Sequence, residues 1–266
     1  MKRIWAGAIL LMVACKGTQV AQTTSANDPG TIVHGKLFTA IYQQRAAEYK
    51  ALCFQAFNLA LWRLDAYSAK TDKPKAIVSD IDETLLDNSA YAVHQAKRGK
   101  DYQLESWYSW TDMAKADTVP GAPSFMQYAA SKGVELFYIT NRDARERVAT
   151  LRNLQRFNFP NADEAHLLTR EGSSSKEARR QKVNETHEIV LLLGDNLADF
   201  SALFDKKDQS TRAQNVTSSR ADFGSRFIII PNPNYGDWEG SIYQYKYSLT
   251  PLQKDSAMRA NATDYE

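Results

Sequence analysis

The 266-residue chain carries 33 basic and 31 acidic side chains, so its formal net charge is only +2. A charge this close to zero excludes the general electrostatic attraction by which basic proteins bind nucleic acid polymers or anionic membrane surfaces. A hydrophobic content of 43% is sufficient for a folded domain with a substantial core, without stabilisation by disulfides or structural metal ions.

The N-terminus has the pattern of an export signal. Lys2 and Arg3 precede an almost wholly apolar run that ends at Cys15 and is too short to cross a bilayer as a mature helix. Residues 1–14 are therefore predicted to be a signal peptide. Their removal would take two basic residues and no acidic ones, which leaves a mature chain with a formal net charge of zero.

The end of this signal is similar to a lipobox, in which the cysteine is lipidated and becomes the new N-terminus. Met12 stands where leucine is more usual, and a plain signal peptide cut elsewhere is the alternative. We expect Cys15 to be lipidated and residues 15–35, rich in small polar side chains, to form a flexible tether. Lys16, which follows the cysteine, favours a lipid anchor in the outer membrane, on its periplasmic or its surface face.

The segment 36–69 contains neither proline nor glycine and has the pattern of one long helix or two in series. Apolar residues such as Phe57, Leu61 and Leu64 recur at helical spacing. Cys53 lies within this pattern and would have no disulfide partner if Cys15 is acylated. It is predicted to be a small core residue.

Short apolar runs alternate with helical segments over the rest of the chain. The predicted strands are residues 76–78, 134–139, 166–169, 189–194 and 227–230. The predicted helices are residues 122–132 and 143–157, one that begins at a Ser-rich cap before Lys176, and residues 197–204. This alternation predicts an α/β fold with a doubly wound parallel sheet. We expect residues 205–226 to be a solvated loop with some helix, and the polar C-terminal tail, 251–266, to fray.

A long insertion, residues 87–119, separates the first strand from the next helix and is rich in aromatic residues. Together with residues 36–70 it is predicted to form a small, mainly helical cap over the carboxyl end of the sheet. Tyr108 and Trp110 are equally well explained as a packing layer within such a cap.

Two acids, Asp80 and Asp82, follow the first strand directly. Side chains two residues apart leave a strand on the same side, and ligands of open α/β sheets bind at the carboxyl ends of the strands. Two converging carboxylates repel each other and raise each other's pKa, and a divalent cation such as Mg²⁺ relieves that repulsion. The alternative is an acidic turn at a strand end without further function.

Polar residues of other types follow the later strands. Thr140 and Asn141 follow the second strand, Asp195 and Asp199 follow the fourth, and Lys176 lies between them in the first turn of a helix. A hydroxyl, a cation and a second pair of acids are thus predicted to meet the first pair at one edge of the sheet.

These segments, in this order, resemble the four motifs of the haloacid dehalogenase (HAD) superfamily of phosphotransferases. More narrowly, the sequences DIDETLLDNS (80–89), GDNLADF (194–200) and PNPNYGDWEG (231–240) are similar to the bacterial class C acid phosphatases, the lipoprotein 5′-nucleotidases. The resemblance covers roughly residues 35–250. It implies a HAD-like core with a cap, and it suggests a homodimer.

The resemblance agrees with the roles that the chemistry suggests for these residues. Asp80 would be the nucleophile that forms an aspartyl-phosphate, and Asp82 the general acid and base. Thr140 and Asn141 would donate hydrogen bonds to the phosphoryl group, and Lys176 would neutralise its charge. A Mg²⁺ ion would bind Asp80, the backbone carbonyl of Asp82, and Asp195, while Asp199 would orient a metal-bound water or Lys176.

The resemblance also implies where substrates are selected. By position, Trp107 of the insertion and Tyr235 correspond to the aromatic residues that hold a nucleobase or nicotinamide ring. The predicted function is a Mg²⁺-dependent acid phosphatase that hydrolyses small phosphomonoesters, including 5′-nucleotides and nicotinamide mononucleotide. The alternatives are a phosphotransferase to alcohols and a non-catalytic binding lipoprotein on the same scaffold. Loss of Asp80, Asp82, Lys176 or Asp195 would favour the binder, and all four are present.

Overall fold

All five predicted strands are present in the computed structural model, which describes residues 30–265. Five longer strands are β1 (Lys75–Ser79), β4 (Glu135–Asp143), β5 (Leu167–Arg170), β6 (Glu188–Gly194) and β7 (Phe227–Ile229), and two short ones are β2 (Leu86–Asp87) and β3 (Asp117–Thr118). The longer strands form one sheet in the order β5-β4-β1-β6-β7, and every neighbouring pair is parallel. The carboxyl ends of these strands therefore lie at one edge.

Helices cover both faces of the sheet. They are α1 (Thr31–Arg45), α2 (Ala47–Asp65), α3 (Ser89–Ala96), α4 (Leu104–Asp112), α5 (Ala122–Ser131), α6 (Arg147–Arg156), α7 (Glu177–Thr186), α8 (Gln209–Ser218), α9 (Asp237–Ile242) and α10 (Pro251–Asn261). Successive residues of β1 alternate between two hydrophobic cores: Ile77 packs with α2, α5 and α6, whereas Ala76 and Val78 pack with Val183 of α7. The fold is the predicted doubly wound, HAD-like α/β architecture.

The first helical segment consists of two helices in series, because the backbone of Ala46 is extended and interrupts the helix. The first of them, α1, lies against the insertion, where it packs on α3. The second helix packs on α5 and β7, and its residue Cys53 is fully buried in the core. The predicted cap boundary of 36–70 is therefore too wide: α2 belongs to the core, because its apolar face covers the sheet.

The two ends of the insertion form a short antiparallel ladder that the sequence did not indicate. The two-residue strands β2 and β3 pair antiparallel, with Leu86 opposite Thr118 and Asp87 opposite Asp117. This ladder holds the two ends of the insertion together next to β1. The cap therefore consists of α1, α3 and α4, and the ladder of β2 and β3 connects it to the core.

The prediction of a fraying C-terminus is wrong for most of that segment. Pro251–Asn261 forms α10, which begins at a Thr250 capping box and packs on α1 and α9. Its residue Asp255 is buried and accepts hydrogen bonds from the backbone N–H groups of Thr31 and Ile32, at 2.7 and 3.1 Å. The carboxylate thus caps the N-terminus of α1, which also means that residues 31–35 are helical and not part of the tether.

One further element differs from its prediction. Residues 197–204 form two short 3-10 helices, Leu197–Asp199 and Ala202–Phe204, because Ser201 between them has an extended backbone.

Within residues 30–265 no helix is both long and apolar enough to cross a membrane. The predicted signal peptide and the lipidation site Cys15 lie outside the described residues.

Candidate active site

The pairing of β1 with β6 determines the edge of the sheet at which the predicted site residues lie. The N–H group of Asp80 donates to the carbonyl of Leu193 at 2.9 Å, which extends the strand pairing to the first acid. The chain then turns tightly at Glu83, whose φ is 57°. This turn places the hydroxyl of Thr84 3.4 Å from Asp80 Oδ2 and 3.3 Å from Asp195 Oδ1. The two acids predicted as metal ligands therefore face each other at the ends of adjacent strands.

Lys176 joins the acids of this edge. It lies at the N-cap of α7, where its Nζ pairs with a carboxylate oxygen of Asp80 and lies 2.6 Å from Asp199 Oδ1. Lys176 is only 5% exposed, and burial disfavours its charge. The two carboxylates outweigh that effect and raise the pKa of Lys176 above its usual value, so the ammonium group is retained.

The site still contains more negative than positive charge. Carboxylate oxygens of Asp80, Asp195 and Asp199 all lie within 4.8 Å of one another. Burial raises the pKa of Asp80 to about 7, in spite of Lys176, and burial together with the neighbouring acids raises the pKa of Asp195 well above its usual value. Oxygen donors that are hard to ionise together are well suited to a divalent cation, which restores the charged form of each.

Gly194 allows Asp199 to reach this cluster. A Cβ atom at position 194 would lie 2.3 Å from the Cβ of Asp199, so any larger residue would displace the acid. Asp199 is in turn held by the backbone N–H of Asn196, which donates to its carboxylate at 2.9 Å. The glycine at the end of β6 is therefore required by the close approach of a site residue.

Asp82 has a different environment. Its carboxylate accepts hydrogen bonds from Arg142, through Nε at 3.1 Å and Nη2 at 2.7 Å, and from Asn88 Nδ2 at 2.8 Å. Arg142 is only 3% exposed and also donates to Thr150. The side chain of Asp82 is thus held by Arg142, whereas Asp80 pairs with Lys176, and both acids line the same cavity.

Thr140 and Asn141 lie within the last four residues of the neighbouring strand β4, which continues to Asp143 and is therefore longer than the predicted strand 134–139. Thr140 is fully buried, and its hydroxyl accepts a hydrogen bond from the N–H of Arg142 at 3.1 Å, which leaves the hydroxyl proton to be donated elsewhere. Asn141 lines the cavity, and its Oδ1 accepts from Arg179 Nη2 at 2.8 Å. Arg179, in the first turn of α7, also donates to the carbonyl of Thr140 at 2.5 Å and so holds this strand end in place.

The two predicted ring-binding residues line this cavity as well, and each makes a contact that the sequence did not indicate. Tyr235 donates a hydrogen bond to the carboxylate of Glu83, which is 1% exposed. Burial and the nearby Asp82 raise the pKa of Glu83 to about 8. Trp107 donates from Nε1 to Glu146 at 2.9 Å, and its ring lies 5.7 Å from the guanidinium of Arg142. Both aromatic residues are thereby oriented before any ligand binds.

These residues surround one cavity of about 550 Å³. The acids and Lys176 contribute part of its wall, and Trp107 and Tyr235 contribute another part. A further part comes from α1, the loop after α3, α9 and α10, through Lys36, Asp101, Glu239 and Lys254. A volume of this size accommodates a small molecule with several functional groups.

The structure therefore brings eight of the nine predicted site residues of the folded domain to the wall of this cavity, and the ninth, Thr140, is buried next to Asn141. Sequence reasoning missed Arg142, Asn88, Glu83 and Arg179, which hold the predicted residues in position. Arg142 could have been identified, because it follows Thr140 and Asn141 directly at the same strand end. The sequence around Asn88, Glu83 and Arg179 contains no comparable indication of their roles.

Comparison with known proteins identifies relatives. A family model described as HAD superfamily, subfamily IIIB (acid phosphatase) matches residues 1–238. The structure is similar to that of the class C acid phosphatase from Bacillus anthracis, with 42% sequence identity and a TM-score of 0.85. The match covers 88% of this chain and 99% of the other. A second structure of the B. anthracis enzyme, with tungstate bound, matches with the same identity, coverage and TM-score.

Proposed function

Because the chain belongs to HAD subfamily IIIB, the acid phosphatases that hydrolyse phosphate monoesters, we propose that it uses Mg²⁺ and an aspartyl-phosphate to hydrolyse 5′-nucleotides and nicotinamide mononucleotide. The observation that carries the proposal is the buried Asp80, in contact with Lys176 and close to Asp195 and Asp199, in the wall of a 550 Å³ cavity. The tungstate bound to the B. anthracis enzyme is a tetrahedral oxyanion similar in shape to phosphate.

The acid cluster fits the divalent cation that HAD phosphatases require. Asp80, Asp195 and the backbone carbonyl of Asp82 would hold it, and three oxygen donors favour Mg²⁺ over softer metals. When bound, the ion lowers the pKa of the carboxylates and neutralises charge on the phosphoryl oxygens. Asn232, which donates to Asp195 Oδ2 at 2.7 Å, would orient that ligand.

The residues then divide the reaction between them. Asp80 attacks the phosphorus atom, forming an aspartyl O–P bond while the bond from phosphorus to the ester oxygen breaks. Asp82 gives a proton to the departing oxygen, and it later removes a proton from the water that hydrolyses the aspartyl-phosphate. Lys176 and the hydroxyl of Thr140 stabilise the charge on the transferring group. Arg142 keeps Asp82 in one orientation throughout both steps.

The metal requirement has a direct test. Exhaustive dialysis against EDTA should abolish phosphatase activity, and Mg²⁺ should restore it, because the clustered acids would otherwise repel a phosphate dianion. A panel of 5′-nucleotides, nicotinamide mononucleotide and glycerol phosphate, assayed with Mg²⁺, ranks the substrates. Undiminished turnover after complete removal of metal would exclude the proposed metal site.

Substrate selection by the two aromatic residues is tested separately. If Trp107 and Tyr235 hold a base between them, Trp107→Ala and Tyr235→Ala should each cost roughly 1–3 kcal/mol of binding for nucleotides. The loss should appear mainly in KM, whereas glycerol phosphate, which has no ring, should be little affected. Tyr235→Phe is the matched control, because it keeps the ring and removes only the hydrogen bond to Glu83. Equal losses on both substrates would show that the aromatic residues only support the cap.

We propose further that the mature protein is anchored in the outer membrane through a lipid on Cys15, as the N-terminal sequence pattern predicts. Cys15→Ala should release or mislocalise a protein that is still active. An unmodified mature N-terminus downstream of residue 15, found by mass spectrometry, would contradict this proposal. The homodimer remains a prediction from the family resemblance.

A further inference from the structure

A buried side-chain amide connects the cap with the turn that carries the proposed general acid. Asn88 lies between β2 and α3 and is only 2% exposed. Its Nδ2 lies 2.8 Å from Oδ1 of Asp82 and 3.3 Å from Oε2 of Glu83. Its Oδ1 lies 2.8 Å from the indole Nε1 of Trp110, a residue of α4. One amide thus contacts two acids after β1 on one side and a cap helix on the other.

The partners of this amide determine its orientation. An indole N–H group can only donate, so the atom of Asn88 that faces Trp110 is the carbonyl oxygen. The NH₂ group then faces the two carboxylates and has one hydrogen for each of them. The reverse orientation would bring the carbonyl oxygen of Asn88 against the carboxylate of Asp82, and two donor groups against each other. Trp110 therefore selects the orientation in which Asn88 donates to Asp82.

The hydrogen bonds to Asp82 are distributed unequally over its two oxygens. Oδ1 accepts from Asn88 Nδ2 at 2.8 Å and from Arg142, through Nη2 at 2.7 Å and Nε at 3.1 Å. Among the described residues, Oδ2 accepts from Arg142 Nε alone, at 3.1 Å. An oxygen that already accepts three hydrogen bonds has no free lone pair for a proton. When Asp82 is protonated, the proton is therefore carried by Oδ2.

The side-chain amide of Asn88 matters more for Asp82 than for Glu83. Glu83 also accepts from the backbone N–H group of Asn88 at 2.8 Å and from the hydroxyl of Tyr235. Without the amide, Glu83 keeps these two donors, whereas Asp82 is held by Arg142. Because the terminal torsion of an aspartate is broad and roughly two-fold, a carboxyl group held by one arginine exchanges its two oxygens more readily.

We propose that Trp110 is a positioning residue for proton transfer, because it orients the Asn88 amide and thereby keeps the transferable proton of Asp82 on Oδ2. The inference rests on the proposed function, in which Asp82 is the general acid. In that step the bond from phosphorus to the ester oxygen breaks, its electron pair stays on the ester oxygen, and the proton moves there from Oδ2. Without the hydrogen bond from Trp110, part of the enzyme carries the proton on the other oxygen, and a basic alkoxide departs more slowly.

This arrangement also places substrate binding and proton transfer on one helix. Trp107 and Trp110 are three positions apart in α4, so their side chains lie on the same side of the helix. Trp107 lines the cavity, and its Nε1 donates to Glu146 at 2.9 Å. The helix that presents Trp107 to a substrate thus also holds the amide of Asn88. A displacement of α4 would therefore disturb ring binding and proton transfer together.

The test compares two substrates that differ in their need for a proton. Benzyl phosphate and p-nitrophenyl phosphate both contain an aromatic ring, but a benzyl alkoxide is a strongly basic leaving group and a nitrophenolate is a weakly basic one. Trp110→Phe keeps an aromatic ring and removes the N–H group. With Mg²⁺, it should lower kcat/KM for benzyl phosphate about three- to tenfold, the effect of one hydrogen bond, and leave that for p-nitrophenyl phosphate nearly unchanged. Equal losses on both substrates, or no loss on either, would overturn the proposal.

A second variant, Asp82→Asn, separates failure of this inference from failure of the proposed function. Because kcat/KM covers the steps up to cleavage of the ester bond, it does not include the later hydrolysis of the aspartyl-phosphate. Asp82→Asn should lower kcat/KM for benzyl phosphate by about 10²–10⁴, and for p-nitrophenyl phosphate much less. A selective loss with Asp82→Asn but not with Trp110→Phe overturns the inference alone. Equal losses on both substrates with Asp82→Asn would contradict Asp82 as the general acid, and the inference with it.

Two further variants show whether Trp110 acts through Asn88. In an Asn88→Ala background, Trp110→Phe should have no additional effect on kcat/KM for benzyl phosphate, because the amide that it orients is absent. Trp62→Phe, at a position of α2 that is 60% exposed, is the matched control and should leave both substrates unaffected. Circular dichroism confirms that each variant folds. Losses that multiply in the double variant would show that Trp110 acts independently of Asn88, which would overturn the proposal.

Discussion

Two lysines of this protein each lie between two carboxylates, in two different parts of the wall of the same cavity. Lys176 pairs with Asp80 and Asp199. Lys36 pairs with Asp101 at 2.6 Å and lies 3.4 Å from Glu239. We name them the catalytic cluster and the cap cluster. Their components are nearly identical, and their surroundings make them behave differently.

The difference lies in the balance of charge. The catalytic cluster has a third acid, Asp195, and burial raises the pKa of Asp80 to about 7. The cap cluster has a second base, Lys254, 3.2 Å from Asp101. Although burial opposes ionisation there, Lys36 and Lys254 hold the pKa of Asp101 below its usual value.

The two clusters therefore have different roles. The catalytic cluster needs an additional positive charge, which suits an active site that binds a cation. The cap cluster is already compensated at Asp101, and it joins the loop between α3 and α4 to α1 and α10. Burial still dominates at Glu239, whose pKa is raised, and Lys36 lies closer to Asp101 than to Glu239. The same ion pair thus supports chemistry where acids are in excess and structure where charges match.

The largest expected effect is at Asp80, the proposed nucleophile. Asp80→Asn should abolish turnover, because an amide does not attack phosphorus. Asp82→Asn should strongly reduce turnover through lost proton transfer, while metal affinity is retained. Steady-state assays with Mg²⁺ and a metal titration of each variant distinguish the two roles. An Asp80→Asn protein with near-wild-type rate, free of contaminant and of deamidation, would contradict a covalent intermediate.

Removal of each lysine separates the two clusters. Lys176→Met should lower kcat by about 10²–10³, since it removes an electrostatic contact with the transferring group. Lys36→Met should leave kcat nearly unchanged but reduce the free energy of unfolding by about 3 kcal/mol, because two partly buried carboxylates lose their partner. Urea unfolding and initial rates of both variants provide the measurements. A large loss of kcat with Lys36→Met would show that the cap cluster takes part in the reaction.

The smallest expected effect is the pH dependence of the cap cluster. The pKa of Asp101 is lowered in the folded protein, so the unfolded chain binds more protons in acid. The stabilisation by this ion pair is present above the pKa of Asp101 in the unfolded chain, near pH 4. It is lost as the pH falls through the lower pKa that Asp101 has in the folded protein. Asp101→Asn should therefore flatten the acid limb of a plot of unfolding free energy against pH. An acid limb as steep as that of the wild type would assign the dependence to other carboxylates.

The residues whose proximity the sequence predicts are those specified by short segments. Asp80, Thr140 and Asp195 each follow an apolar run directly, and parallel strands bring such positions together without further information. The missed contacts join distant residues: Arg142 and Asp82 are 60 positions apart, and Tyr235 and Glu83 are 152 apart. Nothing in either local sequence specifies its partner.

The errors in the predicted fold also come from contacts between residues that are distant in the sequence. Polar composition suggested that residues 251–266 fray, yet Asp255 contacts the first turn of α1, 224 positions away. The apolar face of α2 is visible in the sequence, but whether it covers the sheet or the insertion depends on packing that only the structure shows. A local sequence pattern identifies a helix or strand and its buried face. It does not identify the surface against which that face packs.

The contact of Asp255 with α1 also has a consequence for biosynthesis. The N-terminal cap of α1 comes from α10, and Asp255 is synthesised 224 positions after Thr31. While the chain is growing, the first turn of α1 has unsatisfied N–H groups and no α10 to pack against. This cap therefore forms only after α10 has been synthesised, and a nascent chain lacking α10 should keep the first turn of α1 uncapped and accessible to chaperones.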